Sequence, residues 1–179
     1  MITVFRNSAV MALKILAVAG LVVGFDGHAY AQDAAGSASQ GVVSQKSLSL
    51  GLAKTIAEAA MSACREKGYH TSVAVVDRAG QVLVILRDEQ ATAQTAEMAR
   101  RKAYTARMFS MATADFEKRT ADPNYAAQRD LTDILALGGG APIKVGNDTI
   151  GGVASAGSTQ EQDDACAKAG VAKVADQLK

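Results

Sequence analysis

The segment SVAVVDRAGQVLVILR, residues 72–87, decides how this chain folds. Two runs rich in Val, Leu and Ile, at 72–76 and 81–87, flank the turn Asp77-Arg78-Ala79-Gly80. Runs of this composition predict strands, and Gly80 stands at a turn position that requires a positive φ angle. Strands joined by so short a turn cannot be parallel, so the segment predicts an antiparallel hairpin.

A second hairpin is predicted near the end of the chain. Gly146-Asn147-Asp148 separates two further β-rich runs, at 143–145 and 149–155. Gly151 and Gly152 thin the later strand, so another backbone or a ligand can come close there.

Helical patterns surround the two hairpins. Ser49 is a suitable N-cap for a helix that runs to about Lys67, where Gly68 can end it. A second helix is predicted over 91–111, with a face of small residues that permits close packing: Ala96, Ala99, Ala103 and Ala106. A short helix is predicted over 126–135, before the glycines at 138–140.

The last helix is predicted to begin at a capping box formed by Ser158 and Glu161 and to run to about Leu178. The chain order is therefore helix, hairpin, helices, hairpin, helix. That order predicts an α+β fold, in which one domain has an antiparallel sheet flanked by helices.

The first 31 residues have the pattern of a cleavable secretory signal peptide. Arg6 and Lys14 form a basic start, residues 15–23 are apolar, and Ala29-Tyr30-Ala31 is a small-x-small cleavage site. The alternative, a membrane anchor, needs ~20 apolar residues, about twice the length of this run. We therefore expect a signal peptide over 1–31, a flexible tether over 32–46, a domain over 47–179, and a periplasmic or secreted protein.

The charge balance excludes several partner classes. The chain has 19 Lys and Arg against 18 Asp and Glu. Cleavage would remove Arg6, Lys14 and Asp26, leaving 17 of each sign and His70 as the single histidine. A neutral protein has no global field that would attract nucleic acid or an anionic membrane.

Four motifs in this order resemble the GlcG/HbpS family. They are residues 72–77 followed by Gly80, the helix segment 102–106, the run 138–143, and residues 162–167. The resemblance extends from Leu48 to the C-terminus. It implies a profilin-like domain that assembles into homo-oligomers, with haem as the suspected cofactor, although functions within the family vary.

His70 is the candidate haem or metal ligand. Its other interpretation is an ordinary exposed loop histidine. One histidine per chain cannot form a bis-histidine site within a monomer. The remaining side chains able to bind iron axially are Tyr104, Tyr125, Met98, Met108 and Met111, and core packing is the alternative for each methionine.

Arg100, Tyr104 and Arg107 lie on one face of the second helix, at i, i+4 and i+7. This face could bind the carboxylates of haem propionates or of a glycolate-like acid, because guanidinium groups pair well with carboxylates. Alternatively it is a solvated surface with local ion pairs. Gly139 and Gly140 could line a cofactor pocket with backbone N–H groups, or simply form a tight turn.

Several chemistries are not supported by any motif. The glycines at 138–140 lack the Lys-Ser/Thr ending of a phosphate loop. The sequence has no Cys-x-x-Cys-His haem attachment, zinc cluster or nucleophile elbow. Asp77 enters a turn and Asp163 starts a helix, which are ordinary structural positions for aspartate.

Cys64 and Cys166 are a possible disulfide pair. Cys64 lies near the end of the first helix and Cys166 near the start of the last. If those helices pack antiparallel, as the resemblance implies, the two residues adjoin. The alternative is two buried free thiols.

Three functions follow from these observations. The first is an exported, non-covalent haem-binding or haem-handling protein. The second is a binding module for a small carboxylate. The third is an enzyme, including one that degrades haem, for which no residue set in the sequence supplies a convincing mechanism.

Overall fold

The structure of the protein is a computed structural model that describes residues 41–179. The predicted signal peptide and residues 32–40 of the predicted tether lie outside the described residues. The compact unit runs from Val43 to Lys179. Within residues 41–179, no helix has both the length and the apolar character needed to cross a membrane.

A four-stranded antiparallel sheet forms the centre of the domain. Its strands are β1 (Ser72–Val76), β2 (Val82–Arg87), β3 (Gly140–Val145) and β4 (Asp148–Ala156), in the spatial order β2-β1-β4-β3. Both predicted hairpins are confirmed, because β1 pairs with β2 and β3 pairs with β4. The β1–β4 pairing joins the two hairpins into one sheet.

Two helices cover one face of the sheet. They are α1 (Leu50–Arg65) and α4 (Gln160–Lys173). The Ser49 hydroxyl caps α1 by accepting a hydrogen bond from the Leu52 N–H at 3.1 Å, as predicted. Val73 and Val75 of β1 pack into the apolar core beneath these two helices.

The opposite face of the sheet is covered by α2 (Thr95–Phe109), which is followed by the short α3 (Thr113–Arg119). Ala99 and Ala103 of α2 pack against small residues of the sheet, including Ala74 and Ala154. A methyl group added to Gly152 would overlap the Ala103 carbonyl oxygen. The small residues of α2 and the glycines of β4 therefore together let the α2 backbone lie close to the sheet.

The helical segments between the two hairpins differ from the prediction. Helix α2 begins at Thr95 rather than at 91, because Asp88 to Ala91 forms a turn in which the Ala91 N–H donates to the Asp88 carbonyl at 3.0 Å. Only a 3-10 turn, Ala126–Asp130, replaces the predicted helix over 126–135. Helix α3 was not predicted, since its seven residues are too short for a clear apolar period.

The start of α4 is also a correction. Its N-cap is Thr159, whose hydroxyl accepts from the Gln162 N–H at 3.3 Å. Ser158, the predicted cap, instead donates its hydroxyl to Asp163 at 2.7 Å. Helix α4 ends at Lys173 and a 3-10 turn, Ala175–Gln177, follows it.

Candidate functional site

His70 lies at the end of an exposed segment, residues 65–70, that connects α1 to β1. Its Nδ1 atom is 3.1 Å from Oδ1 of Asp88, which follows β2. The His70 side chain is 42% exposed, whereas that of Asp88 is only 2% exposed. A buried carboxylate therefore holds one nitrogen of a histidine that faces solvent.

The protonation of Asp88 determines which nitrogen of His70 carries the hydrogen. The Gln90 N–H donates to Oδ1 at 2.9 Å and Arg65 Nε donates to Oδ2 at 2.6 Å. Both hydrogen bonds lower the pKa of Asp88, and the one from the Gln90 N–H lowers it most. An ionised carboxylate only accepts hydrogen bonds, so His70 Nδ1 must donate, and the neutral imidazole then has its lone pair on Nε2.

Arg100 is already paired within the domain. Its guanidinium donates to Glu97 at 2.7 and 2.8 Å and to Asp133 at 2.6 Å. The Glu97 hydrogen bond is the main cause that raises the pKa of Arg100. Two carboxylates of the chain thus occupy the donors that the sequence analysis assigned to a ligand.

Tyr104 and Arg107 lie further along α2, beside the turn between β1 and β2. A methyl group placed on Gly80 of that turn would be 2.7 Å from Tyr104 Cε2, so the ring packs directly on the turn. Arg107 lines an open cleft together with Asp77 and Arg78. The three residues of the predicted binding face therefore have different environments. Arg100 is paired with carboxylates, whereas Tyr104 and Arg107 lie beside the turn between β1 and β2.

His70 and Arg107 are at opposite ends of β1. The His70 carbonyl lies near Gly157, whereas the Arg107 side chain lies near Gly152, which is the β1–β4 partner of Val76. A five-residue strand spans roughly 16 Å. The structure therefore does not bring His70 and Arg107 together into one small site.

Gly139 and Gly140 are buried in the domain. Gly139 has a φ of +121° and its carbonyl accepts from the Ser155 N–H at 3.0 Å. The Gly140 N–H donates to the Thr113 hydroxyl at 2.8 Å. A methyl group on Gly139 would be 2.8 Å from Lys102 Nζ, so this glycine packs against a buried lysine.

That lysine belongs to a buried ion pair that the sequence analysis missed. Lys102 Nζ donates to Asp163 at 3.0 Å and to the Ser155 carbonyl at 3.2 Å. Lys102 is 1% exposed and Asp163 is 2% exposed. Burial lowers the pKa of Lys102, against the opposing attraction of Asp163.

A signal for this pair was present in the sequence. Lys102 falls between Ala99 and Ala103 on the small-residue stripe that packs against the sheet. Its neighbours Arg100 and Arg101 suggested a charged surface instead. The small-residue stripe, and not the adjacent arginines, indicated correctly that Lys102 is buried.

The comparisons with known proteins agree with this fold. Residues 48–172, more than two thirds of the 179-residue chain, match the family described as haem degrading protein HbpS-like. The chain belongs to the HbpS-like family. The sequence resemblance and the fold class that it implied are therefore confirmed.

Three relatives of this HbpS-like chain illustrate the match. A double mutant of Streptomyces reticuli HbpS is 36% identical, with a TM-score of 0.71, and the match covers 78% of this chain and 96% of that one. A PduOC:heme complex is 25% identical, with a TM-score of 0.64, covering 70% and 94%. A Citrobacter freundii 15.0 kDa protein from the dhaT-dhaS intergenic region is 29% identical, covering 65% and 84%.

The HbpS-like domain contains a disulfide between Cys64 of α1 and Cys166 of α4, with Cα atoms 5.5 Å apart. Helices α1 and α4 pack side by side on the same face of the sheet, which places the two cysteines within bridging distance. The bridge closes a sequence separation of 102 residues.

The other candidate axial ligands of the HbpS-like chain are dispersed. Tyr125 is exposed, and its ring lies 4.6 Å from the Arg119 guanidinium carbon. Met108 is exposed near Gly80, whereas Met98 packs against the small-residue cluster under α2. Within residues 41–179, no three His, Cys, Asp or Glu side chains are grouped so as to hold a metal ion.

Proposed function

We propose that this chain is an exported protein that binds haem non-covalently and that His70 would hold the haem iron through Nε2. The observation that carries the proposal is the hydrogen bond between His70 Nδ1 and the buried, ionised Asp88. A carboxylate in this position fixes the tautomer and the orientation of the ring, as is common for histidines that bind metals. The family match and the PduOC:heme complex support haem as the ligand.

Residues next to His70 in the chain are of types that can contact a bound porphyrin. Tyr69 precedes His70 in the exposed segment and offers an aromatic ring beside the proposed ligand. Lys67 of the same exposed segment is a cation suited to a propionate of haem, whereas Arg65 is already paired with Asp88 and Glu89. When bound, haem supplies an iron centre whose reactivity depends on this imidazole.

A haemin titration of the purified protein tests the proposal. We expect a saturable change of the Soret band with a defined stoichiometry, and we expect His70→Ala to abolish it. Asp88→Asn should weaken binding by about 10- to 100-fold, because it removes the carboxylate that accepts from His70 Nδ1 and orients the ring. Arg107→Met, at the other end of β1, serves as the matched control.

Two results would contradict the assignment. One is an unchanged titration for His70→Ala, and the other is a weak, non-saturating absorbance for the unmodified chain. Incubation of the haem-loaded protein with a reductant and oxygen distinguishes storage from degradation. We expect the Soret band to persist, and its loss with release of iron would identify an enzyme.

Export follows from the pattern of residues 1–31 and is part of this proposal. Cell fractionation and N-terminal sequencing test it, with Gln32 expected as the first residue of the exported form. Retention of residues 1–31 on the protein would contradict it.

We also propose that the protein forms a homo-oligomer. Strand β2 is an edge of the sheet, and it presents the exposed apolar residues Val82 and Ile85 beside Leu50 of α1. An exposed apolar edge strand of this kind favours association with another chain. Light scattering at micromolar concentration should give a multiple of the monomer mass, and a monomer mass would refute this part.

A further inference from the structure

A cleft of about 510 Å³ lies beside the turn between β1 and β2. We call it the Arg107 cleft. Its volume is within the range of clefts that bind small molecules, ~300 to 1,000 Å³. It is lined by residues of the turn, by the end of α2 and by the segment before α1: Asp77, Arg78, Ala79, Arg107, Gln45 and Ser47.

Two charged side chains of the cleft have partners within the domain. The Arg78 guanidinium pairs with the Asp148 carboxylate and donates from Nε to the Lys46 carbonyl at 2.7 Å. The Asp77 carboxylate accepts two backbone N–H groups of its own turn, at 2.8 and 2.9 Å. Both side chains therefore contribute to the shape of the turn and of the cleft wall.

Arg107 differs from them. Its Nε atom is buried and has no hydrogen-bond partner among the described residues. Across residues 41–179, no acidic side chain lies within 4.0 Å of its guanidinium nitrogens. A guanidinium pairs well with a carboxylate through its terminal nitrogens, and that of Arg107 is not neutralised by any acidic side chain of residues 41–179.

We propose that Arg107 binds the carboxylate of a small organic acid in this cleft. Because Arg78 and Asp148 neutralise each other, the remaining charges are those of Arg107 and Asp77. The single guanidinium can pair with one carboxylate through two parallel hydrogen bonds, whereas a phosphate dianion would keep a second negative charge near Asp77. The amide of Gln45 and the hydroxyl of Ser47 offer hydrogen bonds to a polar group elsewhere on the acid.

The site does not depend on the proposed haem site. His70 is at the far end of β1, so a small acid in the Arg107 cleft cannot reach it. Arg107 shares a helix face with Arg100 in the sequence pattern, but Arg100 is occupied by Glu97 and Asp133. Arg107 instead lines a cleft, and part of the cleft wall is Gln45, at the end of the predicted tether.

Calorimetric or NMR titration with propionate tests this proposal, with propionamide as the neutral probe of the same shape. We expect saturable binding of propionate, at least tenfold weaker binding of propionamide, and weaker binding of inorganic phosphate than of propionate. Arg107→Met keeps the side-chain stem, removes the charge, and should lower propionate affinity at least tenfold. Arg119→Met removes an exposed arginine outside the cleft and should leave the affinity unchanged.

Stability measurements separate loss of binding from loss of structure. Arg107→Met should melt at or above the temperature of the unmodified protein, because it removes an unpartnered buried donor. If that variant does not fold, Arg107→Lys is the second variant. It keeps the positive charge but loses the paired N–H donors of the guanidinium, so it should still weaken propionate binding. His70→Ala should bind propionate normally, so failure of the haem proposal leaves this one testable.

Three outcomes would overturn the proposal. They are equal binding of propionamide and propionate, unchanged propionate affinity in the folded Arg107→Met or Arg107→Lys variant, and an unmodified protein that shows no saturable binding. Tighter binding of phosphate than of propionate would overturn the assignment to a carboxylate.

Discussion

Replacing Lys102 with methionine removes the cation that faces Asp163 and keeps an unbranched stem of similar length. The Asp163 carboxylate would remain 2% exposed, with the Ser158 N–H at 3.2 Å and the Ser158 hydroxyl at 2.7 Å as its strongest remaining donors. A buried charge without its counter-ion is strongly destabilising. We therefore expect Lys102→Met to be among the most harmful substitutions in the domain.

The magnitude follows from the burial of both partners. Breaking a buried ion pair by removing one member costs about 3 to 5 kcal/mol. For a domain of this size, each kcal/mol lowers the melting temperature by roughly 3 to 5 °C. Lys102→Met should therefore lower the melting temperature by roughly 9 to 25 °C, measured by thermal unfolding followed by circular dichroism.

Asp163→Asn carries a distinct pH signature. It removes the attraction that opposes desolvation, so the pKa of Lys102 in the folded state should fall further below the unfolded value of about 10.4. Between those two pKa values the unfolded chain binds more protons. Stability should therefore rise with pH over that window, by up to ~1.36 kcal/mol per pH unit. Lys102→Met lacks the titrating amine and should not show this rise.

A surface pair of the same residue types is the control. Lys168 pairs with Asp164 across one turn of α4, and the Lys168 side chain is 60% exposed. Lys168→Met should change the free energy of unfolding by less than about 1 kcal/mol. The reasoning is refuted if Lys102→Met costs no more than Lys168→Met, or if Asp163→Asn is insensitive to pH between 7 and 10.

Three further predictions concern other parts of the domain. The Cys64–Cys166 disulfide closes a sequence separation of 102 residues, and its reduction should lower the free energy of unfolding in urea by about 2 to 5 kcal/mol. Thiol titration of the unfolded, unreduced chain should find no free thiol. Gly152→Ala should destabilise by at least ~1 to 3 kcal/mol because of overlap with the Ala103 carbonyl. Gly51→Ala in α1 would make only an ordinary contact with the Ser49 hydroxyl oxygen, at 4.0 Å, and should stabilise by up to ~1 kcal/mol. Equal melting temperatures of the two variants would contradict the close approach of α2. The pKa of Asp88 is lowered in the folded state, so its stabilisation should be present above pH ~4 and be lost as the pH falls through the lower folded value. In acid unfolding, the stability of Asp88→Asn should not show this decrease at low pH. If the variant loses stability at low pH as the unmodified protein does, Asp88 is not the ionised group on which the His70 assignment depends.

Local sequence patterns predicted most of the architecture. Both hairpins were predicted because strand composition and turn glycines act over a few residues, and Gly80 and Gly146 do adopt positive φ angles. Helices α1 and α2 were predicted from periodicity and caps. The short α3 was not predicted, and the helix predicted over 126–135 is only the 3-10 turn Ala126–Asp130, because segments of five to seven residues contain too little periodic signal.

The candidate site was less predictable. His70 was singled out because it is the one histidine after residue 31, but its partner Asp88 is 18 residues away and is brought to it by the β1–β2 hairpin. Arg100 and Arg107 have the same residue type and lie on the same helix face. Only the positions of Glu97 and Asp133 show that the first is occupied while Arg107 has no such partner.

By itself, the sequence of this protein determined the strands, the main helices and the antiparallel pairing within each hairpin, because these depend on neighbours along the chain. The tertiary structure decided which charges are buried, paired or left open. Lys102 and Asp163 are 61 residues apart and meet only because α2 and α4 pack near β4. Electrostatic environment depends on distance in space and on access of water, and neither can be read from spacing along the chain.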